Sequence, residues 1–186
     1  MNIGVCVKLV PPSDVRVSIS GDGNSVDKGV YSKLSLNPYD DYALEEAVSL
    51  KEAGHAEKVI VFSVDSRPKI DSELRMALAK GGDEVILIND EQLADADAFS
   101  VAQALVAAAK SENVGLIMCG KESIDTQSAQ IPPMIAELMG WSLATAVTTE
   151  ARFRMYNEIA IDTGTGNVHP GRSILQLRFW VVIMPA

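Results

Sequence analysis

Histidine, cysteine, aromatic residues and positive charge are all scarce in this chain, and each scarcity removes a class of chemistry. The two histidines, His55 and His169, stand far apart with no Cys or carboxylate partner at ligand spacing. That argues against a metal centre and against Ser-His-Asp or Cys-His catalysis. The two cysteines, Cys6 and Cys119, each lie inside an apolar run, where reduced, buried thiols are expected rather than a disulfide framework. Aromatics make up only 5%, too few for the stacking platforms that hold single-stranded nucleic acid. Lys and Arg number 16 against 25 Asp and Glu, for a formal charge of −9, and no basic stripe appears. Phosphate contacts need clustered cations, so a general nucleic-acid binder is excluded. No apolar run approaches membrane-spanning length, so membrane insertion is not expected. Met1-Asn2-Ile3-Gly4-Val5 lacks the charged and long apolar regions of a signal peptide. The expectation is a soluble protein of a reducing compartment, most simply the cytoplasm.

What is present is an ordinary globular composition, 186 residues with 47% hydrophobic and 22% charged, enough for one sizeable core. Ile3 to Val7 reads as a first buried strand. Between Ser13 and Lys33, the alternation Val15-Arg16-Val17-Ser18-Ile19 and the turn residues Gly21-Asp22-Gly23-Asn24 predict a hairpin excursion. Asn37, Pro38 and Asp40 mark a helix start, because Asn caps orphan amides, Pro suits the first position and acids favour the positive end of the dipole. The pair Asp40-Asp41 is explained by the same electrostatics rather than by acid–base catalysis. This helix is expected to run to about Ala53, with Ala43, Ala47 and Leu50 on one face and Gly54 as its stop. Strands follow at Lys58 to Val64, Glu84 to Ile88 and Val114 to Cys119, with helices at Asp71 to Lys80, Ala96 to Lys110 and about Ser128 to Met139. Strand and helix in alternation, with short connections, predict an α/β domain with a doubly wound parallel sheet over residues 1–148. Residues 149–186 form a divergent or truncated segment, in which Arg152 to Tyr156 and Ser173 to Met184 have the composition of edge strands or a hairpin.

Ligands of such sheets bind beyond the carboxyl ends of the strands. Three segments lie there: Cys6-Val7-Lys8, Ser63-Val64-Asp65 and the loop from Gly120 to Gln130. The loop begins with Gly at a strand end, carries hydroxyls at Ser123, Thr126 and Ser128 and a cation at Lys121, and runs into a helix. Free amides there can hold a phosphate, with Pro132 and Pro133 tolerated in the first turn. The alternative is that Ser128 only caps the helix while the hydroxyls face water. Neither a Walker loop nor a Gly-x-Gly-x-x-Gly fingerprint is present. These features point to a domain that binds a nucleotide.

Val5-Cys6-Val7-Lys8, Leu36-Asn37-Pro38-Tyr39-Asp40, Ala43-Leu44-Glu45-Glu46-Ala47, Leu50-Lys51-Glu52 and Cys119-Gly120-Lys121 leading to Ile124-Asp125 together resemble the beta subunit of electron transfer flavoprotein, in register over about residues 1 to 148. The resemblance implies a Rossmann-like fold of the adenine nucleotide alpha hydrolase-like type. It also implies an electron carrier subunit, not an enzyme, paired with an alpha subunit that carries most of the FAD site. Electrons then arrive from acyl-CoA or related dehydrogenases and leave toward a quinone oxidoreductase or another acceptor. In the commoner branch the beta chain buries a structural AMP. By position, the resemblance assigns that AMP to Cys6, Asn37, Pro38, Tyr39, Asp40 and Val64, and to Gly120, Lys121, Glu122, Ser123, Ile124, Asp125, Thr126, Gln127, Ser128, Ala129, Gln130 and Ile131. Cys6 is thereby expected to line the adenine pocket rather than to do redox chemistry.

The chain departs from the family pattern in three places. Asp65 stands where Gly is usual, with Arg67 nearby to offset its charge. Ala129 replaces an Asn of the AMP-binding branch, and Ser128-Ala129-Gln130-Ile131-Pro132-Pro133 is closer to the flavin-bifurcating branch, which reads Thr-Ala-Gln-Val-Gly-Pro and carries a second FAD in place of AMP. Thr126-Gln127 in place of that branch's Gly-Asp keeps AMP first. At the carboxyl end, the family's Leu-Pro-Ala strand, its Asn-x-Pro-Arg recognition loop and its arm over the alpha subunit have no counterpart, and Glu158 to Gly164 is only a faint likeness of Arg-Glu-Ile-Asp-Gly-Gly. A stand-alone adenine-nucleotide-binding module, resembling universal-stress-type proteins, is the rival reading.

Overall fold

The computed structural model describes residues 1–67, 70–147 and 180–185. The expectations for Arg152 to Tyr156, for Glu158 to Gly164 and for His169 lie outside the described residues. In chain order the strands are β1 Asn2–Cys6, β2 Leu9–Val10, β3 Ser35–Leu36, β4 Lys58–Val64, β5 Glu84–Ile88, β6 Val114–Gly120, β7 Ser142–Val147 and β8 Trp180–Met184. The helices are α1 Pro38–Glu52, α2 Ile70–Ala79, α3 Ala98–Ser111 and α4 Ile131–Met139. The main sheet has the order β5-β4-β1-β6-β8-β7. β5, β4, β1 and β6 are parallel, and β8 runs antiparallel between β6 and β7.

The doubly wound expectation follows from residue alternation along the strands. Ile3, Val5, Val59 and Val61 point to one face, against Ala43, Leu44, Ala47 of α1 and Leu74, Ala77 of α2. Cys6, Ile60, Phe62, Ile117 and Cys119 point to the other, against Ala102, Leu105, Val106 of α3 and Ile135, Ala136 of α4. Strands buried on both faces have to be apolar throughout, which is why β4 reads Val-Ile-Val-Phe without polar alternation. The small residues Ala43, Ala47, Ala102 and Ala109 let the helices lie close on the sheet. α1 starts at Pro38, as its sequence predicts, and ends where Gly54 takes φ +81° and the amides of Gly54 and His55 return to Lys51 and Leu50.

Three differences from the sequence expectation have physical reasons. The excursion is closed by a single antiparallel bridge, Ile19 to Val26, and Val17 and Ile19 are exposed, so the alternation there has no second layer to pack on. β8 is an interior strand rather than an edge, with Val181, Val182, Ile183 and Met184 all buried. Among the described residues its partner β7 is the edge, and Ser142, Leu143, Thr145 and Ala146 on it are exposed. α4 starts at Ile131, three residues later than expected, because Gln127 and Ala129 take φ of +51° and +53°, outside any helix.

Candidate functional site

A cavity of about 490 Å³ opens at the carboxyl edge of the sheet, above the ends of β1, β4 and β6. Its floor is Cys6, Cys119 and Gly120, and Lys8, Asp40 and Val64 stand at its margin. One wall is the loop after β6, through Glu122, Ser123, Thr126, Ser128, Ala129, Gln130 and Ile131. A second part of the lining is apolar and built of mostly small residues: Leu93, Ala94 and Ala96 before α3, then Ala98, Val101 and Leu105 on it.

The start of α1 clamps the strand ends that carry this site. The Asp40 carboxylate accepts from the backbone amide of Lys8 at 2.8 Å and from that of Gly120 at 3.0 Å, tying the exits of β1 and β6 together. Asn37 does not cap its helix. Its side-chain amide donates to the Glu122 carbonyl at 2.8 Å, its carbonyl accepts from the Ile124 amide at 3.1 Å, and its backbone amide donates to the Lys8 carbonyl at 2.9 Å. Asn37 is fully buried, so these bonds stand in for water and fix the loop from behind. Gly120 is required by the closeness of the helix: a Cβ there would lie 2.2 Å from Asp40 Oδ1 and 2.6 Å from the Asp40 amide nitrogen. Burial raises the Asp40 carboxyl to about 7, against the opposing pull of its hydrogen bonds from Lys8, Asn37 and Gly120 and of the Lys8 charge.

The loop is arranged to receive rather than to clamp. Gln130 occupies the position before α4 without a side-chain cap bond, so Ser128 is not the cap. Pro132 and Pro133 contribute no amides. Among the described residues, the backbone amides of Ser128, Ala129, Gln130 and Ile131 donate to no protein acceptor, and the first three residues are exposed. Ser123 and Thr126 share a 2.7 Å hydrogen bond between their hydroxyls. Amides without a protein acceptor beside a cavity are suited to an anion.

Of the sequence candidates, Cys6, Asp40, Val64, Gly120, Glu122, Ser123, Thr126, Ser128, Ala129, Gln130 and Ile131 are brought together around the cavity. Asn37, Pro38, Tyr39, Lys121, Ile124, Asp125 and Gln127 are not in its lining. Asn37 and Ile124 act from behind the loop, and Lys121 lies 3.6 Å from the Glu122 carboxylate. The cation in the lining is Lys8, whose Nζ lies 2.8 Å from Asp125 and 3.5 Å from the Ser123 hydroxyl. The pairing with Lys8, together with the Ser123 hydrogen bond, lowers the Asp125 carboxyl against the effect of burial. Asp65 is neutralised as its sequence context predicts, by a forked Arg67 that also reaches the Leu9 carbonyl and covers the Tyr31 ring at 5.4 Å. Sequence reasoning missed the wall from Leu93 to Leu105. Its only signal is the run of Ala residues between β5 and α3. Among the described residues no cluster of His, Cys, Asp or Glu is placed to hold a metal ion, and no helix is long and apolar enough to cross a membrane.

A family model described as the electron transfer flavoprotein domain matches residues 30–154. The chain is 40% identical over 145 residues to an electron transfer flavoprotein subunit beta of Bradyrhizobium diazoefficiens, covering 78% of this chain and 57% of that one. It is 35% identical over 149 residues to the Bacillus subtilis subunit beta, covering 80% and 56%. To the mitochondrial subunit beta of Arabidopsis thaliana it is 37% identical over 145 residues, covering 78% and 56%. The chain thus spans little more than half the length of these curated relatives.

Proposed function

Since the chain belongs to the electron transfer flavoprotein domain family, we propose that it serves as a beta-type subunit, an electron carrier component and not an enzyme, that binds AMP in the cavity above β1, β4 and β6. The carrying observation is the pairing of two unlike walls. Unpaired amides from Ser128 to Ile131 and a stretch of Ala, Val and Leu line the same cavity of about 490 Å³. A nucleoside monophosphate has the matching halves, an anion for the amides and a flat apolar base for the wall. In this reading the amides and the Ser128 and Thr126 hydroxyls hold the phosphate, and Cys6, Val64, Val101 and Leu105 enclose the base. AMP then supplies no chemistry. It fills the space between loop and wall and ties them together.

The partner in this reading is a flavin-carrying alpha subunit, with dehydrogenases as electron donors and a quinone oxidoreductase or another acceptor downstream. The beta names of the relatives support that role, and the isolated chain should hold no FAD tightly. Mass spectrometry of small molecules released from denatured protein tests the reading. AMP at one per chain supports it. FAD at that ratio would replace it with the flavin-bifurcating type, toward which the run from Ser128 to Pro133 leans. Release of neither, with no AMP binding by calorimetry, would overturn it.

A further inference from the structure

The floor of the cavity carries a pair of thiols that the nucleotide reading does not use. Cys6 and Cys119 are register partners on the neighbouring parallel strands β1 and β6, and both side chains point to the α3 and α4 face. Their register places the two side chains next to each other on that face. Both thiols are free and both line the cavity, at 8% and 3% exposure. Adjacent strands are about 4.8 Å apart, and a disulfide spans Cα separations of roughly 4.4–6.8 Å, so the two sulfurs can be joined without moving either strand to a new register.

We propose that Cys6 and Cys119 form a reversible disulfide when a hydroperoxide enters the open cavity, and that a ligand in the cavity blocks it. The sulfur of Cys6, the more exposed thiol, attacks a peroxide oxygen, and the Cys6 proton passes to the oxygen that departs. The O–O bond breaks, leaving a sulfenic acid on Cys6 and releasing an alcohol, or water from hydrogen peroxide. The Cys119 sulfur then attacks the Cys6 sulfur, the S–S bond forms, the S–O bond breaks, and the hydroxyl leaves as water with the Cys119 proton. Two thiols are oxidised by one peroxide, which is reduced by the same two electrons. The neighbouring Cys6 sulfur and burial push the Cys119 thiol well up, which leaves the first attack to Cys6, and the register that sets Cys119 beside it supplies the resolving thiol. The pairing depends on β1 lying beside β6 in this register, and no spacing in the sequence reveals it.

The blocking part rests on the nucleotide reading, and the disulfide itself does not, so the test separates them. The full chain is treated with hydrogen peroxide and then analysed by intact mass without reductant and by thiol titration. Expected are the loss of two hydrogens, the disappearance of both thiols and full recovery with dithiothreitol. Cys119→Ser should instead gain a single oxygen on Cys6, and circular dichroism establishes that this variant is folded. With AMP at about 100 times its dissociation constant, the open fraction and hence the rate should fall roughly a hundredfold. Oxygen uptake on the parent without a disulfide, or thiols that resist peroxide, would overturn the disulfide. Disulfide formation unaffected by AMP that binds by calorimetry would overturn the blocking. Disulfide formation in a chain that binds no AMP would leave the pair standing and sink the nucleotide reading alone.

Discussion

Two helices begin at the rim of the same cavity, and they use their first turns in opposite ways. α1 opens with Asn37-Pro38-Tyr39-Asp40, and its buried polar side chains reach back to hold Lys8, Gly120, Glu122 and Ile124. α4 opens with Gln130-Ile131-Pro132-Pro133, makes no side-chain cap bond, and leaves the amides before it without a protein acceptor among the described residues. Both starts contain Pro, so that residue alone does not separate them. The separation comes from burial. A polar group that water cannot reach has to find protein partners and becomes scaffold, whereas an exposed amide beside a cavity keeps its bond for a ligand. Changes at α1 should therefore cost fold stability, and changes at the α4 start should cost ligand.

The largest effect is expected at Gly120. Ala there places a methyl against the Asp40 carboxylate and backbone, neither of which is the movable end of a long side chain. Gly120→Ala should lose about 3 kcal/mol or more in urea unfolding, or fail to fold. A parent-like midpoint would mean that α1 does not press on β6. Next is Asn37→Ala, which strands the part-buried Glu122 carbonyl and Ile124 amide, for a loss of about 1–3 kcal/mol. Loss of AMP affinity with no loss of stability would make Asn37 a ligand contact and dissolve the contrast between the two helix starts.

Asp40 gives the comparison a pH axis. Its carboxyl lies near 3.8 when unfolded and at about 7 when folded, so between those values the native state binds the extra proton. Stability from this group is full below about pH 4 and is lost as pH rises toward 7. Asp40→Asn should flatten the decline of unfolding free energy across that window. The same slope in both proteins would place the titration elsewhere. The peptide amides that Asp40 holds would then still be bonded, but by a carboxylate that ionises as it does in water.

The sheet, the helices and the loop side of the cavity were legible because they rest on local rules. β4, buried, and β5, half-buried, have their expected limits, since parallel strands covered by helices are written as unbroken apolar runs bounded by polar residues. The loop was marked by a Gly at a strand end and its hydroxyls. The Leu93 to Leu105 wall was not legible, because small apolar residues before a helix look alike whether they pack or line a void. The role of Asn37 was misassigned for a related reason. A helix-start Asn and an Asn that clamps a loop 85 residues away differ only in tertiary contacts. Ser173 to Met184 was read as an edge strand or a hairpin because Gly164-Thr165-Gly166 and Pro170-Gly171 punctuate the sequence before it, and β7, with its exposed small residues, was not read as a strand at all.

The smallest effect on stability, and the sharpest on binding, is expected at Ser128. Its side chain is exposed, it does not cap α4, and it stands first among the four unpaired amides. Ser128→Asp adds a negative charge near the start of α4, which favours the dipole by a few tenths of a kcal/mol. The same charge a few ångströms from a bound phosphate repels it by about 1–4 kcal/mol, depending on how far water screens the pair. The apo protein should melt no lower than the parent, while AMP affinity in a calorimetric titration falls at least about tenfold, a loss of about 1.4 kcal/mol that lies inside that range. Asn37→Ala is expected to move the two measurements the other way round, with stability first. Unchanged affinity in the Asp variant would remove the phosphate from this loop, and a lower melting point would make Ser128 part of the scaffold after all.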